Sequence, residues 1–158
     1  MRILAISGSL RAASHNTALL RAATDVAPAG VEVVLYDGLD RLPHYNEDHD
    51  TDDPHGEVQR LRDAIASADL VLISTPEYNG SVPGHLKTAV DWASRPFGPG
   101  SSLWGKPVAV IGASTTVTEP CGRRIICASR WGWPAPAFST QSWPSRTRPT
   151  GSTGRPVS

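Results

Sequence analysis

The sequence predicts an α/β fold, a doubly wound parallel sheet with helices on both faces. Three observations carry this expectation. Short apolar runs recur along the first three quarters of the chain. Segments with helical spacing of apolar residues alternate with them, and the connections between the two are mostly short. Repeated strand–helix–strand order of this kind closes only as a parallel sheet with right-handed crossovers. A chain of 158 residues, 39% hydrophobic and 19% charged, is long enough for one well-buried core.

Taken in order, residues 2–7 (Ile3, Leu4, Ala5, Ile6) read as a buried parallel strand. A helix over 14–27 follows, with Ala18, Leu19, Ala22 and Val26 expected on its buried face and Pro28-Ala29-Gly30 stopping it. Residues 31–36 form a second strand. An acidic loop, 37–53, leads to Pro54 and a helix with Val58, Leu61, Ile65 and Ala68 inward. Residues 70–74, the most apolar run, are the expected central strand. Pro83 opens a third helix with Leu86, Ala89, Val90 and Ala93 buried, and residues 107–112 are the fourth strand. Ligands on such sheets bind where strands end at the switch in strand order. That rule singles out three loops, 7–16, 75–81 and 112–116.

The first loop, Gly8-Ser9-Leu10-Arg11-Ala12-Ala13-Ser14-His15-Asn16, lacks both the dinucleotide glycine fingerprint and a P-loop ending. It offers hydroxyls, an amide and an arginine just before a helix, whose free N–H groups and positive dipole end suit a phosphate. Ser9, Ser14, Asn16 and Arg11 are therefore the candidate phosphate ligands, Arg11 through a charge-assisted bond. The plainer reading of Ser14 is a helix cap. The second loop, Thr75-Pro76-Glu77-Tyr78-Asn79-Gly80-Ser81-Val82-Pro83-Gly84, is stiffened by prolines, and Gly80 permits a backbone conformation that other residues resist. Its peptide groups can read the polar edge of a flat heterocycle, with Tyr78 near the ring face. An ordinary strand-to-helix turn capped by Ser81, with Pro83 in the first turn, is compatible with that role.

Gly8-Ser9-Leu10-Arg11 with Ser14 and Asn16, then Pro76 through Lys87 and Asp91-Trp92, then Gly105-Lys106-Pro107 leading to Gly112-Ala113-Ser114-Thr115, resemble the NAD(P)H-dependent FMN reductases and their quinone-reducing relatives. The resemblance covers residues 1–115 and implies a flavodoxin-like, FMN-binding domain. It places the FMN phosphate on Ser9, Arg11, Ser14 and Asn16. The isoalloxazine ring lies along Pro76, Glu77, Tyr78, Asn79 and Gly80, and the loop after Ser114 closes over the other side. The implied reaction is hydride transfer from NAD(P)H through FMN to a quinone, azo compound, flavin or similar acceptor. The flavin carries the chemistry, so no protein acid or base is named. The resemblance also implies a homo-oligomer, dimer or tetramer, formed through the helix beginning near Pro83. A non-catalytic electron carrier of the same fold is the alternative, as is an inactive product.

Other features carry less. The opening apolar run is too short for a signal peptide or a spanning helix, so a cytoplasmic protein without membrane partners is expected. His44, Asp48, His49, Asp50, Asp52, Asp53 and His55 have no ligand spacing and read as a solvated loop. Cys121 and Cys127, separated by five residues, read as unpaired thiols.

Residues 116–158 depart from the rest. All 15 acids lie at or before Glu119, whereas six of the 15 basic residues, all arginine, lie beyond it. These arginines are scattered among Pro, Ser, Gly, Thr and Trp without periodicity, so a nucleic-acid partner is not expected. The family continues with a helix, a strand and a final helix. This segment has no such pattern, and the expectation is that those elements are missing or altered. The genetic code suggests a cause, a shifted reading frame. Joining the third base of each codon to the first two of the next makes Trp131 into Gly132 read Gly, and Trp133 into Pro134 read Ala. Ile126 into Cys127 reads Leu or Met, and the steps into Trp131 and Trp133 each read Leu, Met or Val. The hidden frame thus runs Leu-x-x-x-Leu-Gly-Leu-Ala, a helix end with its glycine.

Overall fold

A computed structural model describes residues 1–52 and 54–113, together with the backbone of residues 125–126 and 140–141. Its strands and helices are β1 (Arg2–Ser7), α1 (His15–Asp25), β2 (Glu32–Leu35), α2 (Gly56–Ala66), β3 (Leu70–Ser74), α3 (Gly84–Ala93), β4 (Val108–Ile111), β5 (Ile125–Ile126) and β6 (Thr140–Gln141). The sheet order is β2-β1-β3-β4-β5-β6, with the first four strands parallel. The chain leaves β1 toward β2 on one side and returns to β3 on the other. The order therefore reverses between β1 and β3, which opens a crevice at their carboxyl ends. β3 lies between β1 and β4, as its continuous apolar run predicts.

One face of the sheet is fully covered. Leu4 and Ile6 of β1, Val71 and Ile73 of β3 and Val108 of β4 pack with Val58, Leu61 and Ile65 of α2 and Leu86, Ala89 and Ala93 of α3. Trp92, 1% exposed, belongs to the same core. Its indole N–H donates to the Pro43 carbonyl at 2.9 Å and its ring meets Tyr45 edge-on. Arg62 of α2 donates to the Trp92 carbonyl and, at 2.7 Å, to Asp50. The acidic loop is thus fastened at Pro43, Tyr45 and Asp50, while His44, Asp48, His49, Asp52 and His55 stay exposed, as read from the sequence. Among the described residues, no three His, Cys, Asp or Glu side chains converge as for a metal ion.

The opposite face differs from expectation. α1 buries Asn16 and Leu20, with Ala23 and Ala27 partly covered. Ala18, Leu19, Ala22 and Val26, the stripe read as inward, point to solvent, and Val26 is 78% exposed. The reason is a polar anchor. Asn16 bonds to the ends of β3 and β4, and together with the fully buried Leu20 it turns this face of the helix inward in place of the Leu19–Val26 stripe. Leu70, Leu72, Ala109 and Ile111 on this face remain only half-buried.

The segment beyond β4 is altered, as expected. β5 pairs antiparallel with β4 through Val110 and Ile126, and β6 pairs antiparallel with β5. Two short strands thus extend the sheet beyond β4; β5 runs against the first four strands and β6 runs in their direction. The other expectations for 116–158, and those for Ser114, Cys121 and Cys127, lie outside the described residues.

Candidate flavin site

Three chain segments meet at the switch point, and two glycines let them meet. The Gly8 amide donates to the Ser74 carbonyl at 2.7 Å. A Cβ on Gly8 would overlap Thr75 Oγ1 and lie 2.7 Å from Thr75 Cβ and 2.9 Å from Leu86 Cδ2. A Cβ on Gly112 would lie 2.8 Å from the Thr75 carbonyl oxygen. The ends of β1 and β4 therefore close on Thr75 from both sides at a distance only glycine allows.

The first loop places its candidate residues in different roles. Ser14 caps α1, accepting from the Thr17 amide at 3.2 Å, so the plainer reading of this residue is the one observed. An acceptor role uses a lone pair and leaves the hydroxyl proton for another group. Ser7 Oγ lies 2.7 Å from Thr17 Oγ1 and 3.3 Å from the Ser9 amide, which fixes the loop's entry to the helix. Arg11 is exposed and has no hydrogen bond or ion pair among the described residues. A guanidinium free at a helix amino terminus suits a dianion, so the donor set fits a phosphate.

Asn16 is a correction. Expected to donate to the phosphate, it is 3% exposed and turned inward. Its Oδ1 accepts from Ser74 Oγ at 2.9 Å and from the Ala113 amide at 3.0 Å, while Nδ2 donates to the Ala113 carbonyl at 3.1 Å. One side chain thereby clamps α1 to the ends of β3 and β4. The sequence did contain a signal for this, because Ser74 is a lone hydroxyl ending an apolar strand and needs a partner when buried.

The second loop is a miniature hairpin. The Tyr78 amide donates to the Ser81 carbonyl at 2.9 Å and the Ser81 amide to the Tyr78 carbonyl at 3.0 Å. Between them Asn79 and Gly80 have φ of 53° and 74°, the paired positive angles of a type I′ turn, for which Asn-Gly is the preferred sequence. Ser81 is engaged in this turn and does not cap α3. Pro83 occupies that position, with no side-chain cap, and accepts from the Lys87 amide through its carbonyl. Glu77, Tyr78, Asn79 and Gly80 are exposed at the crevice rim, and Pro76 is half-buried beneath them. Ser114 lies outside the described residues, directly after Ala113 in the clamp.

Residues 1–119 match the model of the NADPH-dependent FMN reductase family. The chain belongs to that family. The match runs four residues past the Thr115 boundary expected from the sequence. An NAD(P)H-dependent FMN reductase of Pseudomonas aeruginosa is 46% identical over 114 residues, covering 72% of this chain and 60% of that protein. A 2-hydroxy-1,4-benzoquinone reductase of a Burkholderia species is 47% identical over 134 residues, covering 81% of this chain and 70% of its own length. Among solved structures, the flavoenzyme NAD(P)H:(acceptor) oxidoreductase FerB of Paracoccus denitrificans superposes with a TM-score of 0.66 at 45% identity. That superposition covers 73% of this chain and 62% of the FerB chain. The chain thus spans about 60% of the length of most of the relatives it matches. The doubly wound sheet with its order reversal between β1 and β3 is the flavodoxin-like fold.

Proposed function

We propose that this chain is an FMN-dependent oxidoreductase that takes hydride from NAD(P)H and delivers it to a quinone, azo compound, flavin or similar small acceptor. The observation that carries the reading is the exposed Arg11, without a hydrogen bond or ion pair among the described residues, in the loop that runs from Gly8 into α1, where Gly8 and Gly112 close on Thr75. FMN, when bound, supplies the two-electron chemistry. The protein's part is to bind and orient it. Arg11, the Ser9 and Ser14 hydroxyls and the first α1 amides receive the phosphate, while Asn16 holds the loops from below. Pro76, Glu77, Tyr78, Asn79 and Gly80 line the ring edge, and Ser114 follows on the opposite loop. A homo-oligomer through the α3 region is part of the proposal. Its support is the exposure of Tyr78, Val82, Phe97 and Trp104 on the segments flanking that helix. Among the described residues no helix is long and apolar enough to cross a membrane, and we place the protein in the cytoplasm.

The test is the absorbance spectrum of the purified full chain, with and without added FMN, followed by NADH and NADPH oxidation with benzoquinone. A bound, perturbed flavin spectrum and quinone-dependent turnover are expected. Flavin binding without turnover favours an electron carrier, and no binding overturns the proposal. Arg11→Ala is expected to weaken FMN binding by about 1.5–3 kcal/mol, as for a charged hydrogen bond, and to leave riboflavin binding unchanged. Equal losses for the two ligands remove Arg11 from the phosphate site. Gly80→Val is expected to weaken both ligands roughly tenfold, since a β-branched residue at positive φ costs about 1–2 kcal/mol. Unchanged flavin affinity in that variant means the hairpin does not position the ring.

A further inference from the structure

His85 stands in the first turn of α3, on the far side of the crevice from α1, and nothing in the preceding assignment uses it. Its Nε2 lies 3.1 Å from the Gly8 carbonyl oxygen. A carbonyl only accepts, so the ring nitrogen is the donor. The ring is half-buried beside Leu86, which also limits Gly8 from above. We infer that His85 is a positioning residue for the phosphate loop, acting through the peptide plane that joins Gly8 to Ser9.

The argument turns on peptide planarity. In a trans peptide the carbonyl of one residue and the amide N–H of the next lie in one plane and point in opposite directions. Holding the Gly8 carbonyl toward α3 therefore aims the Ser9 N–H the other way, toward α1. There it meets Ser7 Oγ at 3.3 Å, and that hydroxyl in turn sits 2.7 Å from Thr17 Oγ1 on the first turn of α1. A relay thus runs from α3 through one peptide plane to the helix whose amino terminus faces the anion. The neighbouring plane is held separately, because the Gly8 amide donates to Ser74. Gly8 has no side chain to restrict its own rotation, so without His85 the Gly8–Ser9 plane keeps only the long Ser9 N–H bond to Ser7 Oγ at 3.3 Å. A flipped plane turns the Gly8 carbonyl, a partial negative charge, toward the place where a phosphate belongs. In β1 and α1 themselves, ladder and helix bonds supply this control; here a side chain from a third element supplies it.

The inference rests on the flavin reading for its ligand, and the experiment separates the two. Three variants are compared with the parent full-length chain: His85→Phe and His85→Leu, which lack a donor, and His85→Gln, which keeps one. FMN and riboflavin affinities are measured by fluorescence quenching. Amide hydrogen exchange of the segment 8–14 is measured without flavin. The Phe and Leu variants are expected to lose FMN affinity by about 2–10-fold, the range one ordinary hydrogen bond commands, with riboflavin affinity unchanged. Their segment 8–14 is expected to exchange faster by a similar factor, and Gln is expected to restore both readouts. Parent-like exchange in Phe and Leu overturns the tether, as do equal losses of FMN and riboflavin or a Gln variant as impaired as Leu. A parent chain that binds no flavin ends the flavin reading alone, and the exchange rates still decide the tether.

Discussion

Gly8→Ala is expected to reduce FMN affinity on the order of a hundredfold and to lower the melting temperature by several degrees. The single added methyl meets Thr75 Oγ1, Thr75 Cβ and Leu86 Cδ2 inside any distance that real Cβ atoms tolerate. None of the three gives way easily. Thr75 Cβ is one bond from the backbone, Thr75 Oγ1 donates to the Pro76 carbonyl at 2.9 Å, and Leu86 is 3% exposed. Overpacking of this kind costs about 1–3 kcal/mol. In a chain of this size each kcal/mol moves the midpoint by roughly 2–4 °C. The larger effect falls on the site, because relief comes only by separating β1 from β3, and that separation opens the crevice that the phosphate and ring loops share. Gly84→Ala is the control: its Cβ enters open space in the first turn of α3 and is expected to leave both quantities unchanged. Calorimetry and FMN titration of the pair decide the matter. A Gly8→Ala protein within a degree and twofold of the parent means the close approach is not a feature of the molecule.

The second large effect concerns the reading frame. The charge asymmetry beyond Glu119 and the Leu-x-x-x-Leu-Gly-Leu-Ala pattern hidden in the adjacent frame already suggest a shift near the codons for Thr115 and Thr116. The fold adds a physical motive. On the α1 side of the sheet, Leu70, Leu72, Ala109 and Ile111 are half-covered, and Leu19 and Val26 of α1 face solvent. On the other side two helices bury Val71, Ile73 and Val108 to a few per cent. A helix laid beside α1 would cover both sets at once. With about five apolar side chains at ~2 kcal/mol each, it would contribute on the order of 10 kcal/mol of gross burial. That is comparable to the net stability of a whole domain, roughly 5–15 kcal/mol. We therefore expect the nucleotide sequence to show an open alternative frame from this point, encoding acids again and a helix with Leu at the Ile126 and Arg130 slots. Expression of the restored frame is expected to raise melting temperature and flavin affinity together, since the same sheet ends carry the loops. An early stop codon in that frame ends the idea, and residues 116–158 are then a native basic segment.

The division between what was legible in the sequence and what was not follows the range of the forces involved. β1 and β3 were readable to the residue, because an interior strand of a parallel sheet with helices on both faces is a continuous apolar run. The inward stripe of α2 was readable for a similar reason, with Val58, Leu61, Ile65 and Ala68 all buried. The Asn79–Gly80 turn was visible through Gly80, since positive φ is a local steric demand. α1 was misjudged because two apolar stripes were available and the one aligned with Asn16, through Leu20, is the one buried. Asn16 reaches Ser74, 58 positions away in the chain, and Ala113, 97 positions away, and no pattern within the helix announces either partner. Ser14, Arg11 and the prolines of the second loop declared themselves as candidates by type and position. The sequence by itself determined the strand–helix order and the family, and singled out three candidate loops. Only the tertiary structure decided that Asn16 serves as a clamp, that Ser81 closes a hairpin, that Gly8 is hemmed in by Thr75 and Leu86, and that His85 holds its carbonyl. The Ser81 hairpin is a local turn that competed with the helix-cap reading. The Asn16, Gly8 and His85 contacts depend instead on which distant segment arrives within about 3 Å, a quantity set by sheet order and register.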